Sequence, residues 1–174
     1  FDQLTHVAAG VGPGSFTGIR VALAAAKGIC LARNVMGIGV SGLRAMAFSG
    51  ATAAAGRAIL SFSDTRRGTL YAQAFSNDAV PVGDAVEGQP DQLPLLLLPS
   101  MVAGDIALVG HASDVMLPIF AHHGRNAVIL PSDHDLPNAV QGLHAGMIAQ
   151  LAAHQLAADI DRKSTRLNSS HLVI

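Results

Sequence analysis

Two rhythms of apolar and polar positions alternate along the first sixty residues of the chain. Leu4 to Ala9 is a short, nearly continuous apolar run, which predicts a buried strand. A Gly/Pro loop follows from Gly10 to Gly14, and helical spacing then takes over from about Ser15 to Ala32. Val35 to Ser41 predicts a second strand, and Gly42 to about Ala53 a second helix. Strand, helix, strand and helix in that order predict an α/β lobe. The small residues from Gly50 to Gly56 mark its expected boundary, giving a first lobe of residues 1–55.

A second lobe is expected over residues 56–160. Ala58 to Ser63 and Thr69 to Phe75 flank Asp64-Thr65-Arg66-Arg67-Gly68, the pattern of a β-hairpin closed by a glycine-containing turn. Asn77 to Pro94 reads as loop, Ile106 to Gly110 and Ala127 to Leu130 as short strands, and Leu136 to Ala158 as a long closing helix. From Asp161 the helical pattern stops. The polar, unpatterned stretch 161–174 resembles translated adapter sequence and is expected to be a non-native tail. The chain opens on Phe1 immediately before a strand, so native sequence is expected upstream.

The first helix carries the most information. Phe16, Ile19, Leu23, Ala26 and Cys30 recur at steps of 3, 4, 3 and 4 and form one apolar seam. Ala22, Ala25, Ile29 and Ala32 form a second stripe, leaving Thr17, Arg20 and Lys27 a narrow polar face. A helix apolar nearly all round is buried on more than one side. A position inside a three-layer domain and a position between one sheet and a second protein both fit that pattern.

Composition narrows the function classes. Half the residues are apolar and 13% are charged, which supplies a core and excludes wholesale disorder. Net charge is −1, and without residues 161–174 the count is 8 basic against 11 acidic. A chain that held RNA alone would show a basic face, so any RNA role is expected to be shared with a partner. The single Cys30 excludes an internal disulfide and a cysteine-based zinc site, and fits a cytoplasmic location. The leucine run Leu95–Leu98, between Pro94 and Pro99, is too short to span a bilayer, and no membrane association is expected.

The loop Gly12, Pro13, Gly14, Ser15, with Thr17, Gly18 and Arg20 behind it, invites a phosphate-binding reading, since helix N-termini attract anions. Two specific versions fail. A Walker loop needs a lysine opening the helix, whereas Ser15 follows Gly14 and the first lysine is Lys27. Gly12, Gly14 and Gly18 are spaced one residue too wide for a dinucleotide fingerprint, and no acidic residue follows the second strand. The loop is better read as a tight turn, with Ser15 as N-cap of the helix.

Other polar groups are less specific. His122 and His123 are adjacent; His134, His144 and His154 are ten apart and do not converge on a helix, so no metal site is expected. Ser132-Asp133-His134-Asp135 holds the residue types of a catalytic triad. Its place between Pro131 and Pro137 suits turns and caps instead. Asp64, Arg66 and Gly68 at the hairpin tip, with Arg67, fit either a solvated turn or a cleft or partner surface.

Gly12 to Arg20, continued by Val21-Ala22-Leu23-Ala24-Ala25-Ala26-Lys27-Gly28 and Gly37-Ile38-Gly39-Val40-Ser41, closely resembles the bacterial TsaB (YeaZ) family. Asp64-Thr65-Arg66-Arg67-Gly68-Thr69-Leu70-Tyr71 resembles that family's second-lobe hairpin, and the likeness spans about residues 4 to 158. It implies an α/β, actin-like, two-lobed fold, here without its first strand-hairpin. It also implies a dimerisation subunit in the synthesis of threonylcarbamoyladenosine on tRNA, working with a catalytic TsaD subunit and the TsaE ATPase. By the same resemblance tRNA is met only through the complex, and dimerisation, with TsaD or with a second copy, uses helices of the first lobe, one of which the first helix matches; its seam Phe16, Ile19, Leu23, Ala26 and Cys30 is the expected partner interface, with the other stripe as the alternative face. No cofactor is expected for the chain by itself, ATP or ADP being expected only at the interface of the complex. In the catalytic relative the second helix carries a His-x-x-x-His metal pair. Gly42 and Met46 stand at those positions here, so the resemblance implies a subunit with no catalytic residue and no metal. A glycoprotease-type peptidase and an actin-like ATP-binding enzyme are the alternative readings.

Overall fold

Two serines decide where the first helices begin. The computed structural model describes residues 3–101, 103–130 and 145–161. Ser15 caps α1 (Phe16–Arg33), its hydroxyl accepting from the Gly18 amide at 3.4 Å. Ser41 caps α2 (Gly42–Ala54) in the same way, accepting from the Arg44 amide at 3.4 Å. Each hydroxyl satisfies an amide that has no carbonyl partner within its helix. At its other end α1 stops on Asn34, whose left-handed backbone (φ 51°) lets its amide bond the Cys30 carbonyl.

α1 is the crossover between β1 (His6–Gly10) and β2 (Met36–Val40), which pair in parallel with His6 opposite Met36 and Gly10 opposite Val40. A second sheet follows. β3 (Ala58–Asp64) and β4 (Leu70–Phe75) form the expected antiparallel hairpin, with Asp64 opposite Leu70. β5 (Val86–Gly88) extends it beyond β4, while β6 (Ile106–Gly110) and β7 (Ala127–Ile129) add in parallel beside β3, giving the order β5-β4-β3-β6-β7. Helix α3 (Leu93–Leu97) with a 3-10 turn (Leu98–Ser100) precedes β6, α4 (Ser113–His122) precedes β7, and α5 (Ala145–Asp161) comes last.

Period-two alternation sorts this sheet into two faces. Leu60, Phe62, Ala72, Ile106 and Leu108 meet Leu93, Met116 and Phe120 of α3 and α4. Ile59, Phe75, Ala107 and Val109 share the opposite core with Leu43 and Met46 of α2 and with Ile148 and Leu151 of α5. The result is a three-layer α/β/α unit. α5 also packs against β1 and β2. A Cβ on Gly10 would stand 3.7 Å from Ile148 Cδ1. The chain turns at residues 55 and 56, where the lobe boundary was expected, but α2 shares its core with the elements beyond that turn.

Three elements depart from the sequence reading. β5 lies inside the stretch expected to be loop, and α3 and α4 were not anticipated. α4 contains Pro118, a residue that removes a helix donor. The helix persists around Met116 and Phe120, both fully buried. The closing helix is described from Ala145 and runs to Asp161, three residues past the expected end. Residues 131–144, with Ser132-Asp133-His134-Asp135 and His144, lie outside the described residues, as does the expected tail from residue 162 onward.

Candidate functional site

The loop between β1 and α1 works as a clamp. Val11 donates its amide to the Val40 carbonyl at 3.0 Å, and the Gly12 carbonyl accepts from the Gly42 amide at 2.8 Å. The end of β1 is thereby tied to the start of α2. Gly12 sits at φ +103°, a backbone conformation that favours glycine, and a Cβ there would stand 2.9 Å from Ile19 Cδ1, the far end of a side chain that can shift. Pro13 is half-buried behind it, while Gly14 is exposed with open space around it. At the start of α2 the Gly42 amide is engaged by the Gly12 carbonyl and the Arg44 amide by the Ser41 hydroxyl. The loop has the geometry of a turn that launches and braces two helices.

α1 has two distinct faces, and burial reassigns them. Ala26 and Cys30 are buried at 4% and 7% exposure, and Ile19 and Leu23 are half-buried, on the side that packs against β1 and β2. Of the seam Phe16, Ile19, Leu23, Ala26 and Cys30, only Phe16 at the helix start stands free, at 73% exposure. Ile19, Leu23, Ala26 and Cys30 of the seam expected to form the interface thus lie on the inner face of α1, while Phe16 stays outside it. The second stripe points outward. Val21 is 64% exposed and Leu31 85%, with Ala22, Ala24, Ala25, Gly28, Ile29 and Ala32 also on the surface. Phe16, Thr17, Arg20, Val21 and Ala24 line a shallow groove of about 410 Å³. The Arg20 guanidinium lies 5.0 Å from the centroid of the Phe16 ring, which holds both at the groove's end. Contiguous apolar exposure of this kind marks an interaction surface.

The hairpin tip is explained largely by its own turn. Asp64 Oδ1 accepts from the Arg66 amide at 2.7 Å, and Thr65 Oγ1 from the Arg67 amide at 3.2 Å. Arg66 has φ 58° and Gly68 φ 84°, the left-handed corners that the turn needs. Thr69 Oγ1 donates to Glu87 Oε1 at 2.8 Å, so the tip is tied to β5 and the glycine loop to α2. The Arg66 and Arg67 side chains are exposed.

Gly42 is buried at the first position of α2, and Met46, at 1% exposure, is one of the side chains of the core. Among the described residues no three His, Cys, Asp or Glu side chains gather as metal ligands. His154 instead packs on Phe48, ring centroids 4.8 Å apart, and joins α5 to α2. No helix among the described residues is long and apolar enough to cross a membrane.

The family model of TsaD, tRNA N6-adenosine threonylcarbamoyltransferase, matches residues 1–168. The chain belongs to this family. Within it the chain falls with TsaB/YeaZ. The tRNA threonylcarbamoyladenosine biosynthesis protein TsaB of Escherichia coli (strain K12) is 36% identical over 76 residues, 44% of this chain. That match spans 33% of the relative's own length. Two solved structures share the fold. The crystal structure of an uncharacterized protein with similarity to peptidase YEAZ from Pseudomonas aeruginosa superposes with a TM-score of 0.67 at 20% identity, covering 90% of this chain and 68% of that one. YeaZ from Pseudomonas aeruginosa gives 0.65 at 19% identity, covering 91% and 69%. The α/β architecture is accordingly the actin-like one that the TsaB/YeaZ resemblance implied. The family match runs through residue 168, across the first part of the stretch set aside as a non-native tail.

Proposed function

We propose that the chain is a scaffold and activator subunit in the synthesis of threonylcarbamoyladenosine on tRNA, with no chemistry of its own. It pairs with a catalytic TsaD subunit through the outer face of α1. The observation that carries this reading is the apolar surface of α1, where Phe16, Val21 and Leu31 are 73%, 64% and 85% exposed on a helix whose other side is already packed. Gly42 and Met46 support it, since neither can supply the imidazole that a bound metal ion needs. In this reading the TsaE ATPase joins the assembled pair, ATP or ADP binds at the interface of the complex, and tRNA is met only there.

Reconstitution tests the proposal. The chain is mixed with the TsaD subunit and the TsaE ATPase of the same organism, tRNA and the threonylcarbamoyl adenylate, and modified adenosine is quantified. Modification should require the chain, and the chain and TsaD should co-elute. Equal modification with the chain left out would remove the activator role. The peptidase reading predicts instead proteolysis by the chain alone.

A further inference from the structure

We infer that the outer face of α1 selects a partner whose apolar contact surface is bordered by carboxylates, in preference to a second copy of this chain; this rests on the pairing proposed above. Charge is distributed unevenly along the chain. Residues 3–63 hold five Lys and Arg side chains and no Asp or Glu, whereas residues 64–130 hold seven acidic side chains against three basic. A chain that is close to neutral as a whole is therefore strongly polarised along its length.

α1 itself carries Arg20, Lys27 and Arg33. At about 100° per residue, Arg20 and Lys27 fall within about 20° of one another, along one border of the outward face that Val21, Gly28 and Leu31 occupy. Both are exposed. Among the described residues no carboxylate pairs with either, and the recorded contact of Arg20 is with the Phe16 ring. Arg33, at the end of α1, falls on the opposite flank of the helix. Apolar surface with a cationic border is complemented by apolar surface with an anionic one.

A second copy complements it poorly. In an antiparallel symmetric pair of α1 helices the two cationic borders run along the same side, so each meets its own charge. Two such faces bury apolar area but set like charges beside it. A partner with Asp or Glu along that border gains on both counts.

The experiment measures association of the chain with the TsaD subunit by titration calorimetry from about 0.05 to 0.5 M salt, beside sedimentation of the chain alone. Wild-type affinity should fall as salt rises, because screening shortens the reach of exposed charges. Arg20→Glu with Lys27→Glu should weaken association about 10- to 100-fold at low salt, with the gap closing at high salt. Both side chains are exposed, so the melting temperature should hold, and sedimentation of the variant should show no gain in self-association, because Glu then meets Glu along the shared border. Association that is independent of salt and unmoved by the double reversal overturns the inference and leaves the proposed pairing standing. A wild-type chain that self-associates through Val21 and ignores the TsaD subunit overturns both.

Discussion

Gly28 offers a test in which stability and binding should move in opposite directions. It lies in the middle of α1, on the outward face, and a Cβ built there meets nothing within 4 Å. A glycine inside a helix costs about 1 kcal/mol relative to alanine, in part because the unfolded chain has more freedom to lose. Nothing within this chain offsets that cost, so Gly28→Ala should stabilise the chain by about 1 kcal/mol, or roughly 2–4 °C in melting temperature for a domain of this size. If a partner packs against this turn, the added methyl meets it. Overpacking a well-fitted contact costs about 1–3 kcal/mol, which corresponds to roughly 5- to 150-fold weaker association. Thermal unfolding followed by circular dichroism gives the first quantity, and calorimetric titration with the TsaD subunit the second. A lower melting temperature would mean that Gly28 is packed within its own chain. A higher melting temperature with unchanged affinity would falsify the placement of the contact on this turn.

Four further outcomes follow from the geometry of α1, the glycine turn and the hairpin tip. Val21→Glu, on the outward face, should leave stability within about 0.5 kcal/mol of wild type while weakening association. Ala26→Glu, on the inner face, buries a charge and should destabilise by about 3 kcal/mol or more; chemical denaturation of the pair separates the two faces. Gly12→Ala should cost about 1–3 kcal/mol, since the backbone at φ +103° is strained for any side chain; urea unfolding measures it, and an unchanged midpoint refutes the clamp. Asp64→Ala should cost about 1 kcal/mol by freeing the Arg66 amide, whereas Asp64→Asn, which keeps an acceptor, should recover most of it in the same thermal assay.

How much of this was legible in the sequence depended on how local the deciding interaction was. The Ser15 cap, the turn at Gly12 and the 58–75 hairpin rest on contacts within a few residues, and the pattern exposed them. α4 rests on burial of Met116 and Phe120 against a sheet assembled from distant segments, so local propensity at Pro118 pointed the wrong way. β5 is three residues long and exists through its pairing with β4, which no periodicity in so short a run can announce. α1 shows the intermediate case. Its two apolar stripes were plain, but which one faces inward depends on where β1 and β2 lie. Val21 and Leu31, the most exposed aliphatic side chains of the outward face, belonged to neither stripe as first drawn. Charge does not break the tie either. At about 100° per residue Arg20 and Lys27 stand between the seam and the outward face, nearer to Leu23 of the seam than to Ala22, Ala25, Ile29 or Ala32 of the other stripe. A long cationic side chain keeps its head in water and lays its stem along the apolar surface beside it. Which face stays open is therefore decided by where β1 and β2 lie, and the cations mark only the line along which solvent or a partner meets the helix.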